Sequence, residues 1–136
     1  MTITQSTAMR VALANAYLAA FDAGAACTIQ LRSGTRPAGP DTTATGDLLA
    51  TVALEDPSFT ESGGVLTIVD PDAVTGVADG TCTWARLLAD TTAILDFQVT
   101  ETGGGGDITL ATTTISTGLS VDITSGTITI PTGTAD

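Results

Sequence analysis

Histidine and lysine are both absent from this 136-residue chain, and its only cations are Arg10, Arg32, Arg36 and Arg86. Without histidine, the usual general base, the Ser–His and Cys–His nucleophile pairs and the commonest metal ligand are all missing. Without lysine there is no Schiff-base chemistry and no phosphate-cradling G-x-x-x-x-G-K-[ST] loop, so Gly103–Gly106 reads as a flexible hairpin tip. Aromatic residues are 4% of the chain, too few for a sugar groove, which weakens any reading of its acids as a glycosidase pair. Few parts remain from which to build an active site, so the chain is expected not to be an enzyme and to need no cofactor. No apolar run approaches the ~20 residues of a membrane span. The alanine-rich stretch at 11–26, interrupted by Asn15, Tyr17 and Asp22, is not expected to be a signal peptide.

What is present is acid. Fifteen Asp and Glu residues against four arginines give a formal charge of −11. Such a surface repels phosphates, so neither nucleic acid nor an anionic membrane is an expected partner. Asp70, Asp72 and Asp79 offer oxygen ligands of the kind calcium takes, but without a recognised loop pattern they read as a solvated turn. Charged residues are only 14% of the chain and hydrophobic ones 43%, the opposite of a disordered composition. Threonine, which favours strands and keeps an exposed face wet without charge, fills much of the rest.

The length fits one domain, residues 1–136. Residues 6–23 read as a helix, capped by Ser6 or Thr4 and stopped by Gly24. Met9, Leu13, Ala16, Tyr17 and Ala20 share one face, with Phe21 at its margin, and this face is expected to pack on the protein's own sheet. Val11 and Leu18 lie almost opposite. Together with Tyr17 they are the candidate interface residues.

From about residue 26 to 131 the apolar period changes to two. Cys27, Ile29 and Leu31 alternate with Thr28, Gln30 and Arg32, and a Gly/Pro/Thr/Ser-rich loop follows at 33–46. Further strands are expected near 47–54, 65–69, 81–88, 93–99, 108–110, 119–124 and 126–130. Turns are expected at Gly63-Gly64, Asp70–Asp72, Ala89–Thr91 and Ser125-Gly126. This spacing predicts a mainly β fold, a β-sandwich or jelly-roll-like domain with one N-terminal α-helix. Leu95, Phe97 and Val99 form one face of the central hairpin. In the neighbouring strand either Cys82/Trp84/Arg86 or Thr83/Ala85/Leu87 faces the core. Cys27 and Cys82 are too few for structural zinc without histidine. They read either as two small buried hydrophobes or as a disulfide, within or between subunits; an internal bridge would contribute about 4 kcal/mol by chain entropy.

The run from Gly46 to Ile68 carries a further signal. Leu49-Ala-Thr-Val-Ala-Leu54 leads to Pro57-Ser-Phe59 and then to Gly63-Gly-Val-Leu-Thr-Ile68. This order resembles a family of small, non-enzymatic virion proteins of tailed bacteriophages and prophages. Ala78-Asp-Gly-Thr-Cys-Thr-Trp-Ala-Arg-Leu-Leu88, continuing to Phe97, resembles that family's central hairpin. The helix leading into Ala26–Arg36, and the strands Gly106–Leu110, Thr114-Ile115 and Leu119–Ile130, resemble its opening and its close. Cys82 stands where a small residue is expected, and threonine replaces asparagine in the closing strands.

The resemblance implies a virion component assembled in the host bacterial cytoplasm, first of all a capsid decoration or cement protein on the outer shell. Its partners would be the major capsid protein or other virion proteins, met as a homo-oligomer or in many copies. A neck, collar or tail protein is the alternative reading, and a carbohydrate- or receptor-binding module is a second.

Overall fold

The computed structural model describes residues 3–133. Helix α1 (Thr7–Phe21) begins at Ser6, whose hydroxyl accepts a hydrogen bond from the Met9 N–H at 3.1 Å. It ends at Asp22, and Gly24 is not its left-handed stop. A Cβ at Gly24 would collide with the Asp90 carboxylate, which accepts from the Ala25 and Ala26 N–H groups at 3.0 Å each.

The strands that follow are β1 (Cys27–Arg32), β2 (Leu48–Ala53), β3 (Phe59–Ser62), β4 (Val65–Ile68), β5 (Val74–Thr75) and β6 (Gly80–Thr81). After them come β7 (Trp84–Ala89), β8 (Thr92–Glu101), β9 (Ile108–Leu110), β10 (Thr114–Ile115), β11 (Ser120–Val121) and β12 (Ile123–Thr129). Eight of them form one curled sheet in the order β2-β1-β7-β8-β9-β12-β4-β3, and β6–β10 and β5–β11 make two small satellite pairs. The fold is thus mainly β and sandwich-like, with α1 laid against β3, β4 and β7.

Alternation decides which way the strands face. Cys27, Ile29 and Leu31 are buried between half-buried neighbours, as the period-two pattern requires. Opposite them, Ala85 and Leu87 of β7 pair with Phe97 and Leu95 of β8, on the side of the main core. Trp84 and Arg86 therefore belong to the other face of the sheet. Phe59 and Leu66 are fully buried, and the Phe59 ring lies 5.5 Å from that of Phe21. The β3–β4 hairpin is thereby tied to the helix through aromatic packing.

Two glycine features differ from their sequence reading. Ser125-Gly126 is not a turn: β12 runs straight through it with a register irregularity between Ile123 and Ser125. Gly126 is buried, and a Cβ there would come within 2.8 Å of Ile108 Cδ1, so the residue answers to close packing. Nor is Gly103–Gly106 a hairpin tip, because β8 and β9 pair in parallel, Val99 with Ile108 and Glu101 with Leu110. Parallel neighbours ordinarily need a crossover of about a dozen residues. Here the chain doubles back along β8 instead. Side chains at Gly104 or Gly106 would meet Thr100 at 2.8 Å, and Gly103 and Gly105 take the positive φ angles (89° and 84°) that the reversal demands.

Candidate interaction surface

Helix α1 is fixed at both ends by the β3–β4 hairpin. At its C-terminal end the Asp22 carboxylate accepts from the Ser58 N–H at 3.3 Å. At its N-terminal end Arg10 donates to the Gly63 carbonyl at 3.3 Å and to the Thr7 hydroxyl at 3.2 Å. With Phe21 seated on Phe59, these ties set the helix's rotation. Ala14 and Phe21 are completely buried, Leu18 packs against the core and Val11 is half-buried.

The helix is accordingly turned over relative to the sequence reading. Val11 and Leu18, taken as outward contact residues, belong to the inner side. Met9, Leu13 and Tyr17, taken for the core face, are 52%, 37% and 39% exposed. Tyr17 is the one candidate interface residue that lies outward. The missed signal is the spacing Val11, Ala14, Leu18, Phe21, alternating steps of three and four around a small residue that lets the helix approach the sheet closely.

The outer face so created is apolar and uncharged. Ile3 before the helix is 59% exposed, so among the described residues four of the six large exposed hydrophobics fall within residues 3–17. The other two are Val77 and Leu119, brought together where the Gly76 N–H donates to the Leu119 carbonyl at 2.9 Å. Arg10 is the only charged residue within α1, and it is half-buried. The Tyr17 ring lies 6.3 Å from that of the buried Phe21, and at the helix's C-terminal end lies a shallow cleft of about 50 Å³. Phe21, Asp22, Glu55 and Asp56 line it, with no arginine among the lining residues.

The second face of the sheet carries a different arrangement. Arg86 pairs with Asp96 through Nε–Oδ1 at 2.8 Å and Nη2–Oδ2 at 3.1 Å, both side chains being about 5% exposed. The guanidinium carbon stands 5.3 Å from the centre of the Trp84 ring, and Nη2 also donates to the Gly39 carbonyl at 3.2 Å. Trp84 Nε1 donates to the Ser33 carbonyl at 3.1 Å, and the Thr83 hydroxyl donates to the Gly34 carbonyl. The 33–46 loop is therefore strapped over this patch. Donating two hydrogen bonds to the Asp96 carboxylate raises the Arg86 pKa. Each oxygen of Asp96 accepts one hydrogen bond from Arg86.

Both cysteines are buried free thiols. Cys27 sits opposite Ala89 at one end of the β1–β7 pair, and Cys82 lies beyond the Arg32–Trp84 end. Five strand steps put them roughly 16 Å or more apart, whereas a disulfide needs Cα atoms within about 7 Å. An internal bridge is excluded by this geometry, and burial keeps both thiols from a second subunit. Burial is also the main cause that pushes each pKa up to about 11, with the Asp22 charge adding to the rise at Cys27. Neither is a nucleophile at neutral pH.

Among the described residues no three His, Cys, Asp or Glu side chains come together as a metal site. Asp79 is instead a structural acceptor, taking the Thr117 N–H at 2.8 Å. No helix is long and apolar enough to cross a membrane.

Comparison of the chain with protein-family models, with curated proteins and with solved structures gives no match.

Proposed function

We propose that this protein is a structural component of a tailed-phage virion, a decoration or cement protein on the outer capsid shell that acts only through protein–protein contacts. One observation carries the reading: a chain of charge −11 holds an uncharged apolar helix face in solvent, with Met9, Leu13 and Tyr17 as its prominent side chains. Exposed apolar residues gathered on one element mark an interaction site. A modest face gains its effect by repetition, since many copies on a symmetric shell add weak contacts into firm attachment. The acidic surface suits the outside of a particle and opposes packaged DNA. The motif resemblance between Gly46 and Phe97 supports the same assignment. The protein would be assembled in the host cytoplasm against the major capsid protein, without catalysis and without a cofactor.

Quantitative mass spectrometry of purified particles tests the proposal. Hundreds of copies per particle are the expected result. About a dozen would instead place the protein in a neck, collar or tail ring, and absence from the particle, or density for it against DNA inside the shell, would overturn the assignment.

A further inference from the structure

We infer that the outer face of α1 seats in an apolar groove on a different protein, with Arg or Lys side chains at the end of the groove that receives the helix's C-terminal end, and not against a second copy of this chain. The inference deepens the virion reading and rests on it for the partner's location. Three features fix the partner's chemistry.

The first is the spacing of the anchors. Met9, Leu13 and Tyr17 recur every fourth residue, the pattern of a helix that lies lengthwise in a groove. Alanines at positions 8, 12, 16 and 20 line one side of them, so a groove wall on that side can close against the ridge without meeting bulky side chains.

The second is charge. The C-terminal end of α1, one turn beyond Tyr17, borders the cleft that holds Asp22, Glu55 and Asp56. The C-terminal end of α1, with its unpaired carbonyls, adds partial negative charge at the same place. Arg10, the only cation of the helix, is half-buried at the far end and already donates to Gly63 and Thr7. A partner must therefore bring positive charge to the C-terminal end. A second copy of this chain is poorly supplied with it: Arg86 is buried in its ion pair, Arg32 donates to Gln30, only Arg36 on the long loop is exposed, and the whole molecule carries −11.

The third is size. Fifteen residues make a helix ~22 Å long and about 10 Å wide, a footprint on the order of 200 Å². Stable pairing of two surfaces takes ~800 Å² on each side. Two copies meeting ridge to ridge fall far short of that, and each would carry its full negative charge to the contact. A groove wraps more of the helix than a ridge does, and an array of grooves on one particle multiplies a weak contact.

The test combines solution mass with binding to phage particles assembled without this protein. The isolated chain is expected to be monomeric by light scattering at the highest soluble concentration. It should bind the particles, and added salt should weaken binding. Leu13→Asp should lower the melting temperature by no more than about 4 °C and weaken binding by at least about tenfold. The double variant Glu55→Gln, Asp56→Asn should bind a few-fold more weakly and respond less to salt. A dimer that Leu13→Asp dissociates would overturn the inference and leave the virion reading standing. So would particle binding that is indifferent to Leu13→Asp or strengthened by salt. A monomer that binds no particle at all would sink the virion reading and this partner with it.

Discussion

The outer face of α1 and the patch beneath the 33–46 loop reverse the usual distribution of residues. On the helix, large apolar side chains reach water with Arg10, half-buried and bonded to Gly63 and Thr7, as the helix's only charge. Beneath the loop, an arginine and an aspartate are buried with a tryptophan. The buried pair is complete in itself. Its hydrogen bonds close between Arg86, Asp96 and the Gly39 carbonyl, and it holds a loop in place. The helix face has nothing to complete it within the chain. Buried polarity here reads as internal fastening, and exposed apolarity as the place where the molecule meets something else.

Substitutions can break or sharpen this contrast, beginning with those that disturb the interior most. Phe59→Ala removes a fully buried ring from the contact with Phe21. It should cost about 4 kcal/mol in a denaturant titration, as large buried aromatics do. If stability held while binding failed, Phe59 would belong with the outer helix face and the division drawn above would be wrong. Asp96→Ala leaves Arg86 buried without its counter-charge and should cost about 3 kcal/mol. Replacing the pair with Met at 86 and Leu at 96 should restore most of that loss. A double variant no more stable than Asp96→Ala would mean that the charges fasten the loop in a way packing cannot replace.

Gly106→Ala probes the return beside β8, where the added Cβ meets the Thr100 backbone nitrogen at 2.8 Å. About 2 kcal/mol of destabilisation is expected, because a backbone neighbour gives way poorly. Gly103→Ala, which meets nothing within 4 Å and bears only its positive φ, should cost about 1 kcal/mol. Equal losses at the two positions would remove close approach as the reason for the glycines. The smallest effect is expected on the helix. Leu13→Asp should change stability by no more than about 0.5 kcal/mol, since the position is already in solvent. A large loss would show that the outer face supports the fold.

Much of the sheet was legible because strand periodicity is strict: alternation alone turned Ile29, Leu31, Phe97 and Val99 inward. Leu66 was readable as core because it lies in the short apolar segment Val65–Ile68 behind the Gly63-Gly64 turn, whereas Phe59 is a lone aromatic among polar residues. The helix was legible in extent but not in rotation. Its alanines blur the boundary between two apolar stripes, and tertiary ties from Ser58, Phe59 and Gly63 chose between them. Those partners are more than thirty residues away and leave no local trace. Strand β3 escaped notice because Thr60, Glu61 and Ser62 carry little apolar weight, and its pairing with β4 comes from the Gly63-Gly64 turn. Glycine misled at Gly126 and in the Gly103–Gly106 run for a common reason: Gly126 and Gly106 make room, and within that run it is Gly103 and Gly105 that turn the chain.

The meeting of the chain's two ends has a topological consequence. Thr4 bridges Gly133 antiparallel, and the Gln5 N–H donates to the Thr132 carbonyl at 2.7 Å. Between Thr4 and Gly133 the backbone thus nearly closes on itself. Linking the chain at this bridge and opening it at the exposed Asp41–Thr43 stretch of the long loop would preserve every strand pairing described above. Such a circular permutant would carry any passenger at the loop, on the sheet's second face, and leave residues 3–17 unencumbered.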